Sequence, residues 1–263
     1  MIQKYTSSDK IKFDKLLNNK STESEVEKKF YKKTEKYLKF IKWIPGLRMV
    51  WIGNSISMNS ASKNSDIDLL IVTDNNSMWL VRILVTFIFQ ILWVRKNDKH
   101  HAGRFCLSFF CTVDWLDFWK FNLKRDPYLY FWILYFKPIL DFWNTYELFI
   151  EKNKSWADFW EFKEIIENNK KYIKYNKNKL EMISSPPYKG GARGGLPLLK
   201  KEGLGVVSIR LRLVLNNFLK KIFLPKTLKH YNKIGKPYWI IINDNILKFH
   251  NWDIRKEIAD KFK

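Results

Sequence analysis

Cysteine and histidine are scarce in this chain, which limits the kinds of site it can build. Its two cysteines, Cys106 and Cys111, lie in one apolar run, so the pattern is not a disulfide framework. No Cys/His spacing in the sequence is typical of a zinc site. The adjacent histidines, His100 and His101, cannot project from one helical face, and we assign them to a loop. This cysteine usage, and a polar stretch at 1–20 in place of a signal peptide, favour a cytoplasmic location.

Acidic residues are also few relative to basic ones. The chain has 26 aspartates and glutamates against 48 lysines and arginines, which gives a formal net charge of +22 at pH 7. Such a charge attracts polyanions, among them RNA, DNA, nucleotides and acidic membrane surfaces. Lysine, asparagine, isoleucine, phenylalanine and tyrosine are all abundant, however, which is typical of an AT-rich genome. The charge therefore has a functional and a compositional explanation, and it does not decide between them.

The chain lacks a convincing membrane span despite its apolar content. Hydrophobic residues make up 46% and aromatic residues 17% of the sequence, which excludes global disorder. The most apolar stretch, 78–94, contains Arg82 and Gln90, and as a helix it would extend roughly 26 Å against a hydrocarbon core of about 30 Å. A helix buried against a sheet explains this stretch better, and we expect no stable membrane insertion.

Hydrophobic spacing in the first half predicts alternating helices and strands. A capping box at Thr22 with Glu25, or at Ser24 with Glu27, begins a helix whose apolar residues recur every three or four positions. A short strand then ends at Gly53. The elements predicted to follow are a strand at 67–73, a long apolar helix at 77–95 and a strand at 104–113.

The second half is rich in aromatic residues and predicts mainly helices. Asp126–Pro127 is a typical helix start, and Pro138 interrupts the helix that follows before it resumes to about residue 151. Tryptophans at helical spacing usually form core, so we favour packing over nucleic-acid stacking as their role. The segment 184–206 concentrates prolines and glycines, and we expect a disordered surface insertion there.

Two carboxylates at the start of a predicted strand form the pattern that carries chemistry. Asp66 and Asp68 flank one residue, and because side chains alternate along a strand both carboxylates project from the same face. They repel each other unless a cation lies between them. Hard oxygen ligands of this kind suit Mg²⁺, which takes one or two carboxylates together with substrate phosphates. Upstream, Gly53-Asn54-Ser55 lies where a strand turns into a short helix, and exposed amides there can bind phosphate oxygens.

An apolar strand, Gly-x-Ser, a polar stretch of ten residues and Asp-Ile-Asp follow one another along the chain. This combination resembles the DNA polymerase beta-like nucleotidyltransferase superfamily, and the resemblance covers roughly 25–117. It implies an α+β fold, in which a small mixed sheet at 1–125 is flanked by helices and a mainly helical accessory region follows at 126–263. It also implies that Asp66 and Asp68 hold the catalytic Mg²⁺. The residues that it implies for binding the NTP phosphates are Gly53, Asn54, Ser55 and Ser65.

Two positions depart from the superfamily pattern. Many members have a second glycine four residues after the serine, where this chain has Asn59, which tolerates a left-handed backbone less freely. Members also usually supply a third carboxylate from a later strand beside the Asp-x-Asp strand. The strand at 104–113 follows in the right order, but its middle polar-face residue is Ser108. Asp114, of the same parity at the strand's end, is then the candidate base, with Asp117 next.

The sequence therefore predicts an enzyme that transfers a nucleoside monophosphate from an NTP to an acceptor hydroxyl. Asp66 and Asp68 coordinate Mg²⁺ in this hypothesis, and Asp114 acts as the catalytic base. The acceptor is unidentified, with RNA or another polyanion as candidates. The missing mid-strand acid supports an alternative, a catalytically degenerate nucleotide-binding or antitoxin-like protein of the same fold. A third hypothesis is a membrane-surface protein that uses the basic charge and the apolar stretch at 78–94.

Overall fold

Strands and helices alternate along the chain in the computed structural model, which describes residues 2–123, 125–177, 203–233, 240–249 and 254–262. The strands are β1 (Gln3–Lys4), β2 (Leu47–Ile52), β3 (Ile67–Thr73), β4 (Phe105–Thr112), β5 (Lys137–Phe142), β6 (Ala157–Asp158), β7 (Tyr175–Lys177), β8 (Ile241–Ile242) and β9 (Ile246–Lys248). The helices are α1 (Ser7–Leu17), α2 (Glu25–Leu38), α3 (Asn54–Ser57), α4 (Met78–Ile91), α5 (Pro127–Tyr135), α6 (Thr145–Asn153), α7 (Lys163–Asn169), α8 (Gly203–Lys233) and α9 (Arg255–Lys261).

Within the described ranges, seven strands form one mixed sheet in the order β7-β5-β2-β3-β4-β9-β8. β3 runs parallel to β4, and β5 runs parallel to β7, whereas the other neighbours are antiparallel. Helices flank this sheet, and the α+β class expected from the sequence is confirmed. Asp68 lies on β3, which is the central strand, so the structure positions it with strands on both sides.

Alternate residues of the central strands pack into two different apolar cores. Trp51 and Leu70 belong to the core that includes side chains of α1, α5 and α6. Val50 and Ile71 belong to the other core, which includes side chains of α2 and α4 and is covered in part by α8. This period of two places a helical layer on each face of the sheet. Tyr130, Phe131 and Trp132 of α5 are buried in the first core and Tyr128 and Tyr135 pack against it, which agrees with the packing role predicted for the aromatic residues.

Sequence signals that act over a few residues are confirmed. The Ser24 side chain caps α2, and the carboxylate of Glu27 accepts the Ser24 N–H at 2.8 Å, so the capping box is the second of the two considered. Asp126 caps α5 by accepting the Leu129 N–H at 2.8 Å. Asn59 has a φ of 55°, which is the left-handed backbone that a glycine would provide at this position.

The interruption predicted at Pro138 is longer than a helix break, because residues 137–142 form the strand β5 and the further helix begins only at Thr145. Pro138 lies where the hydrogen bonding of β5 with its neighbours β2 and β7 is incomplete. Pro138 pairs with Trp51 at a register shift in β2, and β7 begins to pair with β5 only at Leu140. The missing N–H of proline therefore falls at an irregular, single-sided part of the strand. The helix returns as α6.

The chain on both sides of residue 125 contributes to the same sheet. β5 lies beside β2, and β9 lies beside β4, so the domain boundary expected at 125 does not coincide with a break in the sheet. The Pro/Gly-rich insertion expected at 184–206 lies outside the described residues as far as 202. From Gly203 onward the chain is helical, as the start of α8.

The long apolar helix predicted at 77–95 is α4, which is shorter and is covered by α8. The N-cap of α4, Ser77, makes no side-chain capping hydrogen bond. Instead Asn216 of α8 accepts the backbone N–H groups of Trp79 at 2.9 Å and Leu80 at 3.2 Å. None of the helices in the described ranges has both the length and the hydropathy that crossing a bilayer demands.

Candidate metal centre

Asp66, Asp68 and Cys106 meet where β3 and β4 begin. Asp68 and Cys106 are register partners on these parallel strands, so their side chains project from the same face. Asp66 precedes Asp68 by two residues and lies just before β3. One carboxylate oxygen from each aspartate and the Cys106 Sγ all lie within 4.8 Å of one another. The structure thus brings the two carboxylates together and adds a thiol to them.

Asn54 and Trp132 fix the orientation of Asp68. Asn54 has a left-handed backbone, with a φ of 56°, directly after β2. This turn lets its Nδ2 donate to the Asp68 carboxylate at 2.7 Å. The indole Nε1 of Trp132, a buried residue of α5, donates to Asn54 Oδ1 at 2.9 Å and so determines which way the amide points. Gly53 packs closely against β3, because a Cβ at this position would lie 2.7 Å from Leu70 Cδ1 and the leucine side chain would have to shift.

A lysine already partners one of the two carboxylates. Lys96 Nζ donates to Asp66 Oδ2 at 2.6 Å from the segment that links α4 to β4. The side chains of Lys96 and Asp66 are 43% and 22% exposed, so the pair is open to solvent and its ion pair is weak. A divalent cation bound at Asp66 would therefore compete with Lys96 for the same oxygen.

The environment perturbs both Asp68 and Cys106. Burial and the neighbouring charge of Asp66 raise the pKa of Asp68 to about 6, although hydrogen bonds with Asn54 and Cys106 act in the opposite direction. Burial and the charge of Asp68 raise the pKa of the Cys106 thiol to about 12. A cation bound beside Asp68 would favour its ionised form.

These residues line a cleft of about 910 Å³ that also contains several cations. This volume falls within the range of roughly 300–1,000 Å³ found for small-molecule sites. Arg82, Arg95 and Lys226 line the cleft, and none of them forms an ion pair within the described part of the chain. Arg82 packs on the ring of Trp79, with 5.0 Å from the guanidinium carbon to the ring centroid. Burial and the nearby charge of Arg95 lower the pKa of Arg82 to about 10.

Three of the residues expected to bind phosphate do not line this cleft. Asn54 does, whereas Gly53, Ser55 and Ser65 lie outside its lining. Asn54 is therefore the one residue of the four expected phosphate-binding residues that lines the cleft. Ser65 is committed to a tight turn, in which its Oγ accepts the Ser62 N–H at 3.0 Å. The phosphate-binding role of the two serines therefore gains no support from their positions.

Asp114 is not part of the site. The register of β3 with β4 pairs Asp68 with Cys106 and Thr73 with Thr112, so Asp114 lies beyond the opposite end of the strands, roughly 16 Å or more away. Alternation along β4 does not carry through to Asp114, because β4 has one extra residue between Cys106, which pairs with Asp68, and Phe109, which pairs with Leu70. Side chains after this irregularity therefore face the other way. Asp114 is exposed and accepts a hydrogen bond from Asn75 at 2.7 Å.

Sequence reasoning missed the residues that complete the site. Cys106 was read only for disulfides and zinc motifs, although its place near the start of the strand beside Asp-x-Asp was a usable signal. Arg82 reaches the cleft from α4, Lys96 from the segment after α4, and Lys226 from α8, an arrangement that no local pattern predicts. Asp98 and His101 also line the cleft, from the polar connection that was assigned to a loop.

Comparisons of the chain with protein-family models, with curated proteins and with solved structures returned no match.

Proposed function

We propose that the cleft binds an NTP together with a divalent cation and transfers the nucleoside monophosphate to an acceptor hydroxyl, releasing pyrophosphate. One observation carries this proposal. The Asp66–Asp68 carboxylate pair shares a cleft with three cations, Arg82, Arg95 and Lys226, that have no ion-pair partner among the described residues. Carboxylates that can hold a cation and unpaired cations that can hold phosphates are the two halves of a site for a metal-bound triphosphate.

Each group has a role that follows from its position. A divalent cation supplies charge neutralisation at the transferred phosphoryl group and polarises it toward attack. Asp66 and Asp68 hold the cation, with Asp68 oriented by Asn54 as described above. Arg82 and Lys226 neutralise the remaining phosphate charge. Asp98 and His101, which line the cleft, are positioned to accept the proton of the acceptor hydroxyl, the role first assigned to Asp114.

The two carboxylates do not distinguish Mg²⁺ from other divalent cations by themselves. Their oxygens fit magnesium, whereas the adjacent thiol of Cys106 is a soft ligand that magnesium does not favour. The acceptor is unidentified in this proposal, and RNA or another polyanion is a candidate because a net charge of +22 attracts polyanions.

The test is label transfer from NTPs labelled at the α-phosphate. The full chain is incubated with each NTP, a divalent cation (Mg²⁺ or Mn²⁺) and a cell extract, and the labelled product is then isolated. We expect labelling that the Asp66→Asn and Asp68→Asn variants each reduce by a factor of 100 or more, about 2.7 kcal/mol of transition-state stabilisation. Asp114→Asn makes the same chemical change outside the cleft and should retain labelling. Equal labelling by all four proteins would contradict the proposal.

A second candidate function is nucleotide binding without transfer. It is favoured by the absence of a mid-strand acid, since Ser108 stands where the superfamily resemblance implies a third carboxylate, and by the ion pair that Lys96 already forms with Asp66. NTP binding measured by calorimetry, with no label transferred to RNA, protein or small molecules, would support this candidate over the first.

A further inference from the structure

Cys106 contributes a sulfur to a cluster that otherwise offers oxygen. Its Sγ and the carboxylate oxygens of Asp66 and Asp68 lie within 4.8 Å of one another. Ligand atoms around a tetrahedral zinc ion, at about 2.0–2.3 Å from the metal, lie roughly 3.3–3.8 Å apart. Side-chain rotations that bring these atoms closer by at most about 1.5 Å would give all three atoms this spacing. The register of β3 and β4 holds Asp68 and Cys106 opposite each other, so two of the three ligands are fixed by the sheet.

The kind of ligand decides which cations the cluster can prefer. Magnesium takes oxygen ligands in near-octahedral geometry and is not selected by sulfur. Thiolate ligands favour zinc and related ions such as cobalt and cadmium. Cys106 is partly buried in the cleft wall, whereas the other cysteine, Cys111, is buried in the core beyond the register shift. The chain thus holds one thiol that can reach the cation and one that cannot.

We propose that Asp66, Asp68 and Cys106 form a three-ligand site that selects zinc-class cations over magnesium. This inference rests on the proposed function only in taking the carboxylate pair as a cation site. Binding forms one metal–sulfur bond and breaks the S–H bond of Cys106, and the proton leaves to solvent. The remaining coordination positions stay available to substrate oxygens or water, as an open site requires.

Cobalt(II) is the probe, because a cobalt–thiolate bond produces a charge-transfer absorption that a cobalt–carboxylate bond does not. The full chain is titrated with Co²⁺, and the bound ion is then competed with Zn²⁺ and with Mg²⁺. We expect the band to grow to one equivalent and to be removed by Zn²⁺, with Mg²⁺ needing at least a hundredfold higher concentration. Cys106→Ser should abolish the band and weaken Co²⁺ binding tenfold or more, while Cys111→Ala should leave both unchanged.

The variants separate the possible outcomes. Thermal unfolding of Cys106→Ser and Cys111→Ala shows whether each is folded, and Cys106→Asp, which restores an oxygen ligand, should shift the preference back toward Mg²⁺. A band that survives Cys106→Ser, or equal competition by Mg²⁺ and Zn²⁺, overturns the inference. Neither readout involves NTP. A thiolate band without any NTP turnover refutes the proposed function alone, and turnover with magnesium without a band refutes the inference alone.

Discussion

At the residue scale, a single indole nitrogen determines how Asp68 is presented to the cleft. Trp132 Nε1 holds Asn54, and Asn54 in turn donates to Asp68. Trp132 is only 5% exposed, so the packing around its indole fixes the position of this donor. This two-step connection joins the helical second half of the chain to the carboxylates of the first half.

Trp132→Phe removes this indole donor and keeps most of the packing. We expect a loss of about 1 kcal/mol in the free energy of unfolding, typical of one hydrogen bond. Divalent-cation affinity should fall several-fold, because the Asn54 amide is free to turn away from Asp68. Calorimetric titration with Mn²⁺ measures the affinity, and Trp119→Phe, at a residue 47% exposed, is the matched control. Equal cation affinities for both variants and the parent chain would refute the positioning role.

Lys96 is expected to make the opposite kind of contribution in the proposed site, since it already contacts an Asp66 oxygen that a bound cation would use. Lys96→Met removes the 2.6 Å contact with Asp66. Because an exposed ion pair is worth about 0.2–1 kcal/mol, divalent-cation affinity should rise up to about fivefold. The control, Lys99→Met, makes the same charge change on the exposed turn nearby. Titration with Mn²⁺ at low salt compares the cation affinities of Lys96→Met and Lys99→Met. Weaker Mn²⁺ binding by Lys96→Met than by the parent chain would contradict the prediction and show that the lysine assists cation binding.

At the element scale, signals confined to a few residues were predictable and strand partners were not. The Ser24–Glu27 capping box and the Asp126 cap act within one helical turn, so the sequence alone reveals them. Pro138 looked like a helix interruption because nothing local shows that β2 and β7 lie beside it. The register shift between β3 and β4 is likewise a property of two paired strands, so the sequence alone does not show that Asp114 loses the parity of Asp68.

Asp141 of β5 accepts a hydrogen bond from the first turn of α6, but its carboxyl group is buried and therefore costly to ionise. Its carboxylate is buried and accepts the Tyr146 N–H of α6 at 3.1 Å. Burial raises the pKa of Asp141 to about 6, against hydrogen bonds from Tyr146 and Thr145 that lower it. The folded protein therefore binds this proton more tightly than the unfolded chain does. The resulting stabilisation is fully present below about pH 4 and is lost as the pH rises through about 6.

Asp141→Asn should remove this pH dependence and keep the cap, since an amide oxygen can still accept the Tyr146 N–H. Between pH 4 and pH 7 the parent chain should lose roughly 2–3 kcal/mol of its free energy of unfolding through this carboxyl group, and Asp141→Asn should lack that loss. Urea unfolding at a series of pH values measures the difference. Asp244→Asn removes one exposed carboxylate and should follow the parent curve. A parallel pH dependence for all three proteins would contradict the assignment.

At the scale of the whole molecule, distant parts of the chain complete both the sheet and the cleft. α8 supplies Lys226 to the cleft and Asn216 to the bare N-terminus of α4. The sequence predicts a mainly helical second half but does not predict that α8 packs on α4, because these two helices are more than a hundred residues apart in the chain. The carboxylate pair could be predicted from spacing, whereas the cations that face it depend on this long-range packing.

Asn216→Leu tests whether α8 stabilises the first half of the chain. It leaves the N–H groups of Trp79 and Leu80 without their buried acceptor, which should cost about 1–3 kcal/mol in the free energy of unfolding. Asn217→Leu, at the exposed neighbouring position, is the matched control and should change stability by less than about 0.5 kcal/mol. Urea denaturation measures both values. Similar midpoints for the two variants would show that α8 does not cap α4 in solution.

The central claim is that Asp66 and Asp68 hold a cation that in turn holds the nucleotide. The most direct measurement is calorimetric titration of the full chain with a non-hydrolysable NTP, with and without saturating Mn²⁺. We expect the cation to tighten NTP binding at least tenfold, about 1.4 kcal/mol, in the parent chain and in Asp114→Asn, but not in Asp68→Asn. An NTP affinity that depends on Mn²⁺ equally in all three proteins would contradict the claim.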